Sequence, residues 1–348
     1  MSLDARLQRL WYGPAWRSLP LWPLEAIFRL LVALKGALYR VGVLRAQRMP
    51  VPVIVVGNIT VGGTGKTPVT AWLAKQLTLR GHKVGVLLRG YGGDHEGEAL
   101  VVTAEDDPVV VGDEALLHAR RGPHVVVIDT DRVAAANLAT AMGAEVLVCD
   151  DGLQHLRLAR DVEIAVLDAS RGLGNGHLLP AGPLREPASR LEQADVVVLA
   201  DRGGDTAAGI GLSLRTPLRV EARLRLGDAV SLVTGERRSL ESFVGVPVHA
   251  VAGIGHPDAF FDALRAIGFT VQGHPLRDHA SLNPSALPFA ADAIVLMTEK
   301  DAVKCAGYAQ PAWWWVELDV SIERAAAEEL LSLVLERTAM TGAGVRLG

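Results

Sequence analysis

The two cysteines in 348 residues, Cys149 and Cys305, are too few and too far apart for a disulfide framework or a cysteine-based metal site. They read as buried small hydrophobes in a chain suited to a reducing cytosol. Aromatic residues are scarce, 5% against 49% hydrophobic residues in all, which suggests an aliphatic, well-buried α/β core. The formal net charge is only −4, and no Lys/Arg-rich run stands out beyond the N-terminal region. That balance argues against a nucleic-acid partner. No transmembrane span is expected either, because Arg29 and Lys35 interrupt the N-terminal apolar stretch where a span needs ~20 predominantly apolar residues. There is no internal repeat and no long low-complexity segment, and the length suggests about two domains.

The stretch VPVIVVGNITVGGTGKTP at 51–68 carries the most information. A β-branched strand breaks into glycines and restarts as a helix, so backbone N–H groups and the positive helix end converge where a triphosphate can sit. Lys66 is placed to reach the β- and γ-phosphates, and the Thr67 hydroxyl to hold Mg²⁺. The first glycine of the general phosphate-loop pattern is replaced by Thr60. Val61, Gly62, Gly63, Thr64 and Gly65 complete the loop, with Gly62 and Gly63 supplying the backbone freedom. A glycine-rich turn that binds nothing has no need of Lys followed by Thr, so the chain is expected to bind a nucleoside triphosphate.

Residues 14–49 are rich in Leu, Trp, Pro and Arg. A cleavable signal would place its basic residues first, whereas Arg29, Lys35, Arg40, Arg45 and Arg48 run through and beyond the apolar part. At ~100° per residue, Glu25, Arg29 and Arg40 fall in one arc and Ile27, Leu30, Leu31, Leu34 and Leu38 opposite, which describes an amphipathic helix. Packing on the protein's own core would give the same pattern. Trp11, Trp16, Trp22 and the trailing arginines favour a membrane surface.

From residue 51 onward strands and helices alternate as a mostly parallel sheet requires. Strands are expected at 52–57, 84–88, 124–128, 146–149, 163–167 and 195–199, with helices at 66–80, 113–121 and 132–142. The expected fold is a P-loop NTPase-like, doubly wound α/β sheet with a smaller α/β lobe and an N-terminal amphipathic helix. Its divisions are 1–49 (membrane-associating helix), 50–215 (nucleotide-binding domain), 216–240 (β-ribbon linker) and 241–348 (C-terminal lobe). In that lobe the expected elements are strand 248–252, helix 257–267, strands 269–273 and 293–297, helix 301–306, strand 313–317 and helix 322–337.

Several strand ends carry chemistry. VLVCDDGLQH at 146–155 resembles a metal-binding strand tip, with Asp150 and Asp151 as the anions a phosphoryl-transfer site needs. The phosphate loop upstream favours that reading over a plain Asp-Asp-Gly turn. Arg89 and Tyr91 in RGYGG close a neighbouring strand and suit an anionic group and a sugar, or a purely structural turn. Arg185 and Glu186 follow a Pro/Gly loop of the kind that carries ligands. Asp113, beside Glu114, is either the N-cap of the next helix or a general base that accepts a hydroxyl proton. His279 lies in a loop of the smaller lobe and is either a solvated side chain or one that orients or charge-pairs with a carboxylate across the cleft. Thr298-Glu299-Lys300-Asp301 suits contact with a base or ribose, but its Lys falls one position late for the guanine-reading motif of a GTPase.

In this order, GNITVGGTGKTP, RGYGG, GDE, DDGLQH, PAGPLRE, Asp278-His279 and TEKDAVK resemble the tetraacyldisaccharide 4′-kinase family, inner-membrane enzymes that phosphorylate a lipid A precursor. The likeness runs from the N-terminal helix to about residue 320. It implies ATP-dependent transfer of the γ-phosphate to the 4′-hydroxyl of an acylated glucosamine disaccharide 1-phosphate. It further implies that Lys66 and Thr67 bind phosphate and Mg²⁺, that Asp151 serves the metal beside Asp150, and that Asp113 is a base supported by His279. Arg89, Tyr91, His155, Arg185 and Glu186 resemble lipid and head-group contacts, with Glu114 an additional acid. Such an acceptor keeps the enzyme at the cytoplasmic face of the inner membrane, since each buried CH₂ holds it there by ~0.8 kcal/mol. The rival readings are a GTPase-type switch, another small-molecule kinase or ligase, and a nucleotide-binding scaffold.

Overall fold

The run from Val53 to Gly57 opens with four β-branched residues and no polar alternation, a pattern suited to a strand covered on both faces. It forms β1 (Val53–Gly57), with Ile54 and Val56 in one core and Val53 and Val55 in the other. The computed structural model describes residues 3–201, 218–254, 257–276, 289, 293–305 and 309–345. Flanking β1 in the same sheet are β2 (Val84–Leu88), β3 (Leu100–Val102), β4 (Val125–Ile128), β5 (Val146–Asp150), β6 (Val162–Asp168) and β7 (Val196–Asp201). All are parallel except the edge strand β3. The helices of this half are α1 (Leu3–Trp11), α2 (Trp22–Arg40), α3 (Lys66–Leu79), α4 (Pro108–Val111), α5 (Asp113–Arg121) and α6 (Arg132–Ala141). Apolar residues of α3 and α5 cover one face of the sheet and those of α6 the other, so the sheet is doubly wound as expected. The connection from β5 to β6 crosses β1, placing a crevice at the C-terminal end of β1 where such sheets bind ligands.

The segment expected as a β-ribbon linker is more than a linker. Residues Leu218–Ser231 form one long strand, β8, in which Leu218, Val220, Ala222 and Leu224 are buried and Arg219, Glu221, Arg223 and Arg225 exposed. Its first part pairs in parallel with β7, and its later part pairs antiparallel with the short β9 (Arg237–Arg238) and with a strand of the smaller lobe. A single sheet therefore runs through both lobes. Alternation in the sequence shows that one face is buried, but it does not say which strands lie alongside.

The smaller lobe continues the sheet with β10 (Val248–Ala252), β11 (Val271–Pro275), β12 (Val295–Thr298) and β13 (Trp313–Ile322), and β13 is the partner of β8. Helix α7 (Pro257–Ile267) seats Phe260, Phe261 and Leu264 against Trp314 and Leu296. The helix expected at 301–306 is instead α8 (Glu299–Ala302), which starts earlier because the Thr298 side chain caps it, accepting from the Asp301 amide at 3.3 Å. The terminal helix α9 (Arg324–Val345) packs Leu330, Leu331 and Val334 into the first core.

At the N-terminus Glu25 of the polar arc of α2 turns inward, Arg29 and Arg40 stay exposed, and most of the apolar arc faces outward. The Glu25 carboxylate is buried, accepting from the Leu178 amide (3.1 Å) and Arg29 (2.7 Å) and meeting His177 Nδ1 at 2.7 Å. Burial alone would raise its pKa, but these partners hold it below the usual carboxylate value. Leu24, Ile27, Leu30, Leu31 and Leu34 are each more than half exposed, as is Trp16. Trp11 departs from expectation: it is buried, and its indole N–H donates to the Pro180 carbonyl at 2.9 Å. Among the described residues no helix is long and apolar enough to cross a membrane.

Candidate active site

The loop after β1 is braced at both ends. Gly65, the N-cap of α3, has φ +87°, and a Cβ there would lie 2.8 Å from Leu224 Cδ1 on β8, so both backbone and space demand glycine. Position 60 makes no such demand. Thr60 is buried in an antiparallel bridge with Leu184, flanked by bonds from Val61 N to Pro183 O (2.8 Å) and from Arg185 N to Ile59 O (2.7 Å). That extended, paired backbone explains why threonine stands where the general pattern has glycine. Asn58 Nδ2 donates to Thr64 Oγ1 at 3.0 Å across the loop.

The loop opens into a cleft of about 1780 Å³ between the sheet edge and the smaller lobe. Lys66, Thr67, Asp150 and Asp151 line it on one side, and Phe260 and Thr298 on the other. The two aspartates differ in place and partners. Asp150 is buried, with Oδ1 accepting from Thr70 Oγ1 (3.2 Å) and Oδ2 3.4 Å from His118 Nε2. Burial disfavours its charge, but His118, Lys66 and Thr70 outweigh this and lower its pKa. Asp151 has φ +52° and projects a partly exposed carboxylate, 3.6 Å from Lys66 Nζ and 3.1 Å from Arg185 Nη1. Left-handed backbone at a non-glycine residue is uncommon, and Asp is among the residues that tolerate it.

Arg89, Tyr91, Glu114, His155 and Arg185 also line the cleft. Burial, with the cations Arg132, Arg89 and Lys35 nearby, pushes the His155 pKa down to about 4, so its ring is neutral at physiological pH. Glu186 is not on the cleft wall: it accepts from Gln154 Nε2 at 2.6 Å and pairs with Arg190 at 3.2 Å, which steadies Gln154. Asp113 is not the helix cap, a position that Gly112 holds at φ +85°. A Cβ on Gly112 would meet the Tyr91 carbonyl at 2.6 Å, so this glycine lets the RGYGG and GDE loops touch. Asp113 is the first residue of α5, just behind the wall that Glu114 lines, and its carboxylate is 3.1 Å from Lys304 of the smaller lobe. Arg277, Asp278 and His279 lie outside the described residues.

Sequence reasoning missed four residues. His118 backs Asp150 and was hidden in the apolar pattern of α5. Arg132 is buried, lines the cleft and donates to the Asp129 carbonyl at 2.6 Å. Its signal is the DTDR junction, where Asp131 caps α6 through the Val133 amide at 3.0 Å. Lys304 sits inside TEKDAVK, and Lys35 of α2 donates to the Gln154 carbonyl at 3.0 Å, joining the N-terminal helix to the cleft.

The family model for tetraacyldisaccharide-1-P 4′-kinase matches residues 17–336. The chain belongs to the tetraacyldisaccharide-1-P 4′-kinase family. It is 43% identical over 329 residues to the tetraacyldisaccharide 4′-kinase of Nitrosococcus oceani, covering 94% of this chain and 93% of that one. To the enzyme of the same name from Alkalilimnicola ehrlichii it is 46% identical over 317 residues, covering 91% and 92%. The solved structure of Aquifex aeolicus LpxK in complex with ATP superposes with a TM-score of 0.79 at 30% identity, covering 92% of this chain and 99% of that one. Membership of this kinase family accounts for a phosphate loop, a pair of strand-tip aspartates and a second lobe facing one cleft.

Proposed function

We propose that this chain transfers the γ-phosphoryl group of ATP to the 4′-hydroxyl of a tetraacylated glucosamine disaccharide 1-phosphate at the cytoplasmic face of the inner membrane. The observation that carries the reading is the Lys35 contact. The helix whose apolar face is turned to solvent also touches the Gln154 backbone at the cleft, so a bilayer surface and a phosphate loop meet at one opening.

The glycine-rich loop holds the triphosphate through its N–H groups, and Lys66 balances charge on the β- and γ-phosphates. The acceptor oxygen forms a bond to the γ-phosphorus as the bond to the β,γ-bridging oxygen breaks and ADP departs, while the hydroxyl proton passes to Asp113, supported by His279. Arg89 and Arg185 offer cations to the anionic head group, and neutral His155 with Tyr91 and Glu114 offers hydrogen bonds to sugar hydroxyls. Glu186 acts through Gln154.

The residues present suit Mg²⁺. Thr67 and Asp151 face the same cleft with oxygen donors, and Asp150, with one oxygen bonded to Thr70 and the other facing His118, backs Asp151. Among the described residues no cluster of three or more His, Cys, Asp or Glu would hold a metal alone. Mg²⁺ bound beside a nucleotide commonly takes one or two carboxylates and completes its shell with phosphates and water. When bound, Mg²⁺ supplies neutralisation of charge on the phosphate oxygens.

The test is phosphorylation of the lipid disaccharide in mixed micelles with Mg-ATP, followed by mass spectrometry of the lipid. A product heavier by one phosphate on the distal sugar is the expected outcome. Nucleotide hydrolysis with no phosphorylated lipid, or a preference for GTP, would reject the proposal in favour of a switch-type protein.

A further inference from the structure

Helix α5, which carries Asp113, is held at both ends by the stretch 299–304 of the smaller lobe. At its C-terminal end Arg121 Nε donates to Glu299 Oε1 at 2.8 Å, and Arg121 Nη2 reaches the Leu318 carbonyl at 3.3 Å. At its N-terminal end Lys304 Nζ lies 3.1 Å from Asp113 Oδ2, with 10% of the lysine side chain and 8% of the aspartate side chain exposed. Two opposite charges so deeply withdrawn from water stabilise each other, and removal of one leaves the other costly to bury.

The lysine is delivered by a rigid turn. Thr298 caps α8, Asp301 accepts from the Gly253 amide at 2.9 Å, and Cys305 Sγ donates to the Asp301 carbonyl at 3.3 Å. Asp301 is the competing carboxylate, yet its Oδ1 is 4.0 Å from Lys304, farther than Asp113. Burial raises the Asp301 pKa, which weakens its hold on the ammonium further.

We infer that Lys304 is a positioning residue for the phosphoryl-transfer base: from the smaller lobe it fixes the Asp113 carboxylate in place, so the base is set only when the two lobes are apposed. The inference rests on the reading of Asp113 as the base. A base accepts the hydroxyl proton only when its oxygen is aimed at that proton, and an ammonium 3.1 Å away on another lobe fixes where the oxygen lies.

The experiment compares K304M, K304R, D113N and D113N/K304M, with thermal melting to confirm that each is folded. K304M is expected to lose about tenfold or more in kcat at saturating ATP and lipid, with both KM values within about twofold of the parent. K304R should retain more turnover than K304M. In the D113N background, K304M should cost nothing further, because Lys304 acts through the carboxylate that is already gone. The double variant removes both charges and so avoids a lone buried ion. Losses that multiply between the two sites, or a K304M enzyme with parental kcat beside an inactive D113N, would overturn the role of Lys304 alone. A D113N enzyme with parental kcat would overturn the base assignment itself.

Discussion

Replacing Ile27, Leu30 and Leu31 of α2 with serine should release the protein from lipid vesicles without unfolding it. The three side chains are 57%, 66% and 59% exposed, so little of the fold depends on them. Full burial of a Leu or Ile side chain gains ~2 kcal/mol, and each of these has somewhat more than half its surface left to bury, about 1 kcal/mol apiece on entering a bilayer. Losing three, and adding hydroxyls that the interface must accommodate, weakens partitioning by ~3 kcal/mol or more, on the order of a hundredfold. Sedimentation with vesicles containing anionic phospholipid measures the partition coefficient directly, and circular dichroism checks the fold. A triple variant that sediments like the parent would refute the reasoning, because the exposed face would then have no lipid to contact.

D113A should lower kcat by ~10²-fold or more while leaving ATP affinity in place, as measured by steady-state kinetics beside calorimetric titration. G65A should weaken ATP binding by about tenfold or more: an L-residue in left-handed backbone costs ~1–2 kcal/mol, and the added methyl presses on Leu224. Exchanging Glu25 for Gln should loosen α2 from the Leu178 amide and His177, read as faster amide exchange across 22–40 with core protection unchanged. His124 and His155 both have folded-state pKa values of about 4, below the ordinary 6.5, so the folded state holds fewer protons between those limits. Stability is therefore full above about pH 6.5 and falls as acid carries the protein towards pH 4, where melting temperatures should drop; a flat profile across that window would contradict the assignment.

The sheet was legible because its strands are short β-branched runs bounded by turn residues, and the phosphate loop because Gly-Lys-Thr has a chemical purpose few other turns share. What escaped depends on partners distant in sequence. Thr60 looks like a defect until Leu184 is seen pairing with it. Glu25 reads as the wet side of an amphipathic helix, whereas an amide and a histidine more than 150 residues away turn its carboxylate inward. Trp11 was grouped with Trp16 and Trp22 by composition, but the Pro180 carbonyl takes it indoors. The long strand β8 was visible as alternation, yet which strands it joins is a matter of topology. Asp113 announced itself as a carboxylate at a helix start, and nothing local names Lys304 as the cation facing it.

The bonds from Val61 N to Pro183 O and from Arg185 N to Ile59 O join the phosphate loop to the segment that presents Arg185. Both are main-chain bonds, so neither depends on which side chains the two segments carry. The separation between the phosphate loop and the backbone of Arg185 is thus a dimension of the scaffold. On the proposed reading of Arg185 as a head-group contact, substitution there changes which head group is accepted, while its distance from the phosphate loop stays as built.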